Sequence, residues 1–156
     1  MRCFSGCLLS ISLALCGCSH IRTALPSGSN TVSGRASLTA GGYSRPCEEV
    51  ILVSATPSLA RRVESFLSNS RDGFTGAITM DPIDSDPDFE RLSRTSECRD
   101  DGRFSFAGVA DGRYYLIAQV TGLLKLSHRG GFIVRAIDLP STANPVDMSV
   151  SRDKIR

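Results

Sequence analysis

The chain has 156 residues, a formal net charge of +2 and no tryptophan. That length holds one domain with its own core and not comfortably two. The near-neutral charge excludes the basic stripe of a nucleic-acid binder, and the lack of Trp removes the best stacking platform for sugars or bases.

The first residues read "MRCFSGCLLSISLALCGC". Arg2 is a short positive start. Leu8 to Leu15 is an apolar run far too short for a permanent span, which needs about 20 residues. A charged start, a short apolar centre and small residues after it make a secretory signal. Leu15-Cys16-Gly17-Cys18 resembles the lipobox of bacterial lipoproteins: an aliphatic residue at −3, a small one at −1, then the cysteine. The resemblance implies cleavage after Gly17, a diacylglycerol on the Cys18 thiol and an acyl chain such as palmitate on the new amino group. Cleavage before Cys16 would put bulky Leu15 at −1. A Cys16-x-Cys18 metal pair is the competing reading. It has only His20 as a third ligand, whereas structural zinc wants four at characteristic spacings. Two or more acyl chains hold a protein stably on a membrane and one holds only marginally. Ser19, in place of Asp, resembles the pattern for release to the outer membrane.

Processing leaves Cys47 and Cys98 from the six cysteines. An even pair in an exported, oxidising setting favours a disulfide over two separately buried thiols.

Residues 18–30 contain Pro, Gly, Ser and Asn with little periodicity and read as a tether. "TVSGRASLTA", Thr31 to Ala40, alternates between apolar or small residues and polar ones, as a half-buried strand does. "GGYSRP" reads as a turn. Glu48 to Ala55 has a continuous apolar centre, as expected of a strand near the middle of a packed sheet. Thr56 as N-cap and Pro57 at the first helical position open a helix. Leu59, Ala60, Val63, Phe66 and Leu67 form its apolar stripe, and the expected span is Pro57 to Ser68. "GFTGAITM" holds a short strand. "DPIDSDPDFE" reads as an exposed acidic loop. Strands return from Leu92, with Asp101-Gly102 as a hairpin turn and Asp111-Gly112 as another. Phe104 and Phe106 alternate with polar residues. Tyr114, Leu116, Ala118 and Val120 face one way. Gly131 to Leu139 and Pro145 to Ser151 complete the set, with Val146, Met148 and Val150 inward.

The expected fold is mainly β: a seven- to eight-stranded antiparallel β-sandwich over residues 31–152 with one short helical insertion. Residues 1–17 are the signal peptide.

Gly102, Phe104, Phe106, Val109, Gly112, Tyr115, Ile117 and Ala118, within "DDGRFSFAGVADGRYYLIAQV", resemble the carboxypeptidase regulatory-like (transthyretin-like, prealbumin-like) β-sandwich family. "LVSATP" at Leu52 to Pro57 and "RGGF" at Arg129 to Phe132 are similar to further segments of a subgroup. The chain departs from the family at Asp111, where the usual turn has Pro. The pattern is one of turn glycines and core aromatics, so it implies a fold and not an active site.

Candidate chemistry is sparse. Related hydroxyisourate hydrolases carry His and Arg in the sandwich and a Tyr-Arg-Gly-Ser end, whereas this chain has His only at positions 20 and 128 and ends "SRDKIR". Ser127 and His128, as sequence neighbours, are expected to project in different directions, and the segment lacks the nucleophile-elbow motif. Asp84, Asp86 and Asp88 have the first spacings of a calcium loop, but Phe89 stands where Gly is needed and Thr95 where Glu should be. The run reads as a solvated loop. No cofactor, metal or nucleic acid is expected.

The expected protein is a non-enzymatic lipoprotein of the cell envelope, anchored by Cys18 in the outer membrane and facing the periplasm or the surface. Its expected role is structural or protein-interacting, and the alternative is a peptide- or carbohydrate-binding module working through its loops. A protein partner predicts an exposed apolar patch. Carbohydrate binding predicts exposed aromatics on one rim, for which Tyr43 and Tyr114 are the plausible suppliers.

Overall fold

The computed structural model describes residues 25–68, 70, 72–76, 80–121 and 130–152. Cys18, Ser19, His20, Ser127 and His128 lie outside them. The elements in chain order are β1 (Ser27–Ala40), β2 (Tyr43–Ser54), α1 (Pro57–Phe66), β3 (Phe74–Thr75), α2 (Asp81–Asp84), β4 (Ser93–Glu97), β5 (Arg103–Val109), β6 (Gly112–Val120), β7 (Gly131–Leu139) and β8 (Val146–Ser151).

The strands follow the order β3-β7-β6-β2-β1-β5, with β4 on the other edge of β2 and β8 on the other edge of β1. The sheet curls at the β1–β2 hairpin, where Ala40 pairs with Tyr43. Two faces thus pack together as in a sandwich: β5-β1-β8 on one side and β4-β2-β6-β7-β3 on the other. The hairpin turns on Gly41 (φ 59°) and Gly42 (φ 79°) alone. Two consecutive positive φ angles define the tight turn whose twist matches a hairpin, and glycine takes them without strain. The expected turn over "GGYSRP" is therefore shorter, and Tyr43 to Pro46 already belong to β2.

Two further expectations change. The sheet is not wholly antiparallel, because β8 runs parallel to β1. The segment after β7 crosses from one face to the other, and β8 enters beside Gly34, midway along β1, and runs with it as far as Thr39. Asp101-Gly102 does turn the chain, with Gly102 N–H donating to Arg99 O at 2.7 Å. However, β4 pairs with β2 and β5 with β1, so this turn joins the two faces and is not a ladder hairpin.

The expected tether is also shorter on its domain side. β1 begins at Ser27, whose partner is Val109, and Leu25 is buried in the core.

The inner core takes alternate residues from both faces. Val32, Ala36, Phe104, Phe106, Met148 and Val150 meet Val50, Leu52, Tyr114, Leu116, Ala118 and Ile133. A second core lies on the far side of the larger face, where Ile51, Val53, Ile117 and Val134 are covered by Leu59 and Val63 of α1 and Ile83 of α2. This explains the unbroken apolar runs of β2 and β6: their residues are buried on both faces. α1 starts as expected, with Thr56 Oγ1 accepting from Leu59 N–H at 3.3 Å and Pro57 in the first turn. It stops at Phe66, two residues before Ser68.

The acidic stretch is not a solvated loop. It forms α2, and Asp86 beyond it is only 3% exposed. Ser58 Oγ donates to Asp86 Oδ2 at 2.5 Å, Arg62 Nε lies 3.1 Å from the same oxygen, and Asp88 N–H donates to Oδ1 at 3.0 Å. The Ser58 hydroxyl leads in holding this carboxyl below its ordinary range, against the opposing effect of burial; the Asp88 amide and Arg62 add to the lowering. Asp88 pairs instead with Arg91. The three aspartates therefore do not converge as a calcium loop requires.

Cys47 and Cys98 are joined in a disulfide with a Cα–Cα distance of 5.8 Å. The β2–β4 ladder places them: Glu49 pairs with Glu97, and Cys98 N–H donates to Glu48 O at 2.9 Å.

Candidate functional site

The larger face of the sandwich is covered on both sides, by the inner core and by the helices. No element of the described residues covers the outer side of β5-β1-β8. Alternation assigns it Ser33, Arg35, Ser37 and Thr39 from β1, Arg103 and Ser105 from β5, and Asp147 and Ser149 from β8.

Register sets these side chains in rows. Arg35 stands between Arg103 on β5 and Asp147 on β8. Ser33 stands opposite Ser105. Ser37 stands opposite Ser149, and their hydroxyls are 3.2 Å apart. Gly34 makes this closeness possible. A Cβ there would sit 2.3 Å from Val146 O and 2.6 Å from the Phe104 ring.

Asp101 organises the two arginines. Its backbone O accepts from Arg35 Nε at 2.6 Å, and its Oδ2 lies 3.1 Å from Arg103 Nε. Its Oδ1 also accepts from Arg103 N–H at 3.1 Å. Asp147 Oδ1 accepts from Ser149 N–H at 2.9 Å. Ser149, through its amide and hydroxyl, holds the Asp147 carboxyl below its ordinary range; Arg135 and Arg35 add to this against burial. Asn144, in the connection before β8, braces the edge of β1. Its Oδ1 accepts from Ser33 N–H and Oγ, each at 2.9 Å, and its Nδ2 donates to Thr31 O at 2.9 Å. The result is a shallow depression of about 850 Å³ lined by Arg35, Arg99, Arg103, Glu97, Asp147 and several serines, with Pro145 and Val146 as apolar lining. Its chemistry is directed hydrogen bonding with fixed charges, suited to a hydrated polar ligand held at several points.

The two corners between the sandwich faces are each bridged by an arginine. Arg94 Nη1 donates to Ala107 O at 2.9 Å, with its guanidinium carbon 6.0 Å from the Phe106 ring centroid. Arg152 Nη2 lies 3.2 Å from Asp72 Oδ1, and its guanidinium carbon is 4.7 Å from the Phe74 ring centroid.

Of the sequence candidates, Cys47 and Cys98 come together and Cys18 lies outside the described residues. Tyr43 is 73% exposed at the β1–β2 tip. Tyr114 is not a rim residue: it is buried, and its hydroxyl donates to Ala110 O at 3.1 Å, four residues back, at the corner where the chain crosses between faces. Burial, then the charge of Asp111, pushes its phenol pKa up. Sequence reasoning placed Arg35 on a polar outer face but missed the Arg35–Asp101–Arg103 group. Its one signal was an Asp two positions before an outward Arg.

No protein-family model matches the chain, and no curated protein matches it. Among solved structures it is similar to a candidate carbohydrate-binding protein from Pseudomonas aeruginosa, with 19% identity and a TM-score of 0.58 over 83% of this chain and 92% of that one. A second match is the pilus backbone of Streptococcus pneumoniae, with 14% identity and a TM-score of 0.31 over 78% of this chain and 40% of that one. The likeness to the first is a likeness of fold.

Proposed function

We propose that the chain is a non-catalytic binding module of the bacterial envelope, anchored through Cys18, whose outer β5-β1-β8 face binds a glycan. The sandwich is of the carboxypeptidase regulatory-like kind. The observation that carries the reading is the polar outer face of β5-β1-β8, left uncovered by the described residues while the other face is covered by helices. A glycan offers hydroxyls in both donor and acceptor roles, and this face answers with serines, an aspartate and guanidinium groups. A protein partner is favoured less. Interface cores draw on aromatic and apolar anchors, and the exposed large hydrophobic among the described residues is Tyr43, at the rim. The binding surface is the sheet face rather than the loops. The fold neighbour's description as a candidate carbohydrate-binding protein agrees with this ligand class.

β1 runs from Ser27, beside Val109, to the Gly41-Gly42 tip. The chain therefore enters the domain at the rim near Val109, and Tyr43 lies at the opposite end of β1.

The test is a polysaccharide panel presented to the full lipidated chain in detergent micelles. The reading expects saturable binding that Ser33→Trp abolishes and Tyr43→Ala leaves within twofold. Binding that survives Ser33→Trp, or no binding to any polysaccharide, would overturn it.

A further inference from the structure

We infer that the ligand of this face carries carboxylates: the site is built for an acidic, uronate-containing glycan. The inference rests on the reading of the face as a glycan site.

Arg35 and Arg103 stand directly opposite each other on one open face. Like charges in that relation are unfavourable, and an outer face of serines could have held neutral residues at both positions. Both guanidinium groups meet Asp101 through Nε, Arg35 by a hydrogen bond to its backbone O and Arg103 by an ion pair with its carboxylate at 3.1 Å. A guanidinium engaged at Nε leaves its two terminal amines for another partner. No described residue takes those amines from either arginine. Two parallel N–H donors in a fixed plane match a carboxylate, and such paired bonds are stronger than neutral ones. Arg99 also lines the depression, as does Glu97, so the cations Arg35, Arg99 and Arg103 exceed the carboxylates Glu97 and Asp147 there. Asp101 is thus a positioning residue, with its carboxylate neutralising part of the charge and the remainder left for the ligand. Asp147, held by Ser149 and beside Arg35, marks the limit of the cationic area, so a carboxylate fits at the Arg35–Arg103 end and neutral hydroxyls towards β8.

The ligand class follows from what surrounds the arginines. Ser33, whose hydroxyl donates to Asn144, keeps acceptor capacity on this face, and Ser105 is exposed opposite it, contacts that a chain of hydroxylated rings would use. An acidic peptide would bring the same carboxylates without ring hydroxyls, and the experiment separates the two.

The full lipidated chain in detergent micelles is titrated with oligogalacturonate, with the same oligomer after carboxyl reduction to the neutral sugar, and with poly-glutamate of similar length. The inference expects oligogalacturonate to bind at least tenfold more tightly than either of the others. Arg35→Gln and Arg103→Gln should each weaken it at least tenfold while leaving the melting temperature within a few degrees, and Asp101→Asn, which loosens the arginines but removes a negative charge beside them, should weaken it less, with a steeper salt dependence of affinity. Equal binding of the acidic and reduced oligomers, unchanged by the arginine variants, would overturn the carboxylate inference and leave the glycan reading standing. Equal or tighter binding of poly-glutamate would overturn the glycan class. Binding of none of the three, alongside a polysaccharide panel that is also negative, would overturn both readings.

Discussion

The guanidinium of Arg152 lies over the ring of Phe74, 4.7 Å from its centroid, and ties the end of β8 to β3 on the opposite face. The backbone N–H of Arg152 also donates to Thr39 O at 2.6 Å, which fixes the side chain's starting point. No ladder spans this corner among the described strands, so side chains close it. Planar stacking and hydrogen bonding act together here, and a lysine supplies only the charge. Arg152→Ala should cost about 1–2 kcal/mol, from one cation–π contact and the Nη2 hydrogen bonds to Asp72 Oδ1 and, at 3.5 Å, to Phe74 O, at a half-exposed site. Arg152→Lys should recover less than half of that. Denaturant unfolding reads both, and equal stability of wild type and Arg152→Ala would mean that the corner is closed by the inner core alone.

Asp86 locks α2 onto α1. Its native carboxyl titrates below the ordinary value, chiefly through Ser58. A lowered native pKa makes the carboxylate stabilising above the unfolded-state pKa of about 3.9, and this contribution is lost as pH falls through the native pKa. Asp86→Asn should therefore cost about 1.5–3 kcal/mol at pH 7. The gap between wild type and variant should shrink as pH falls below about 4. Unfolding curves at pH 7 and pH 3 check the sign. A gap that widens in acid would contradict the assignment.

The Cys47–Cys98 bond closes a separation of 51 residues. On chain-entropy grounds that corresponds to roughly 4 kcal/mol, with measured values often lower. Non-reducing peptide mapping of exported protein should give a linked Cys47–Cys98 peptide, and reduction should lower the unfolding midpoint sharply. Two free, alkylatable thiols in the native protein would count against the bond.

Cys18→Ala should leave the protein unprocessed or unanchored. Membrane fractionation with intact-mass measurement reads this directly. A variant that is still cleaved after Gly17 and still sediments with the outer membrane would refute the lipid anchor.

Much of the fold was legible because period-2 alternation needs only local sequence. Val146, Met148 and Val150 point inward in β8, and Phe104 and Phe106 in β5, as their spacing predicts. The direction of β8 was not legible, because parallel pairing with β1 depends on where the chain crosses between faces. α2 was hidden for a similar reason. Ile83 is one apolar residue among prolines and aspartates, and its burial depends on the far side of β2 and β6, not on its neighbours in sequence. The same dependence hid the candidate site. Arg35 reads as an outward residue on any half-buried strand. Which outer face stays open is decided by α1 and α2 docking on the other one, and the approach of Asp101 to both arginines needs the β1–β5 register.

The central claim is that ligand meets the β5-β1-β8 face, and a backbone amide NMR titration of the full lipidated chain with oligogalacturonate tests it most directly. The account predicts that the largest shifts fall on Ser33, Arg35, Arg103, Ser105 and Ser149, with the amides of α1 and of Tyr43 nearly unmoved. Shifts centred on the Tyr43 tip or on the helical side, with Arg35 and Arg103 unmoved, would contradict it.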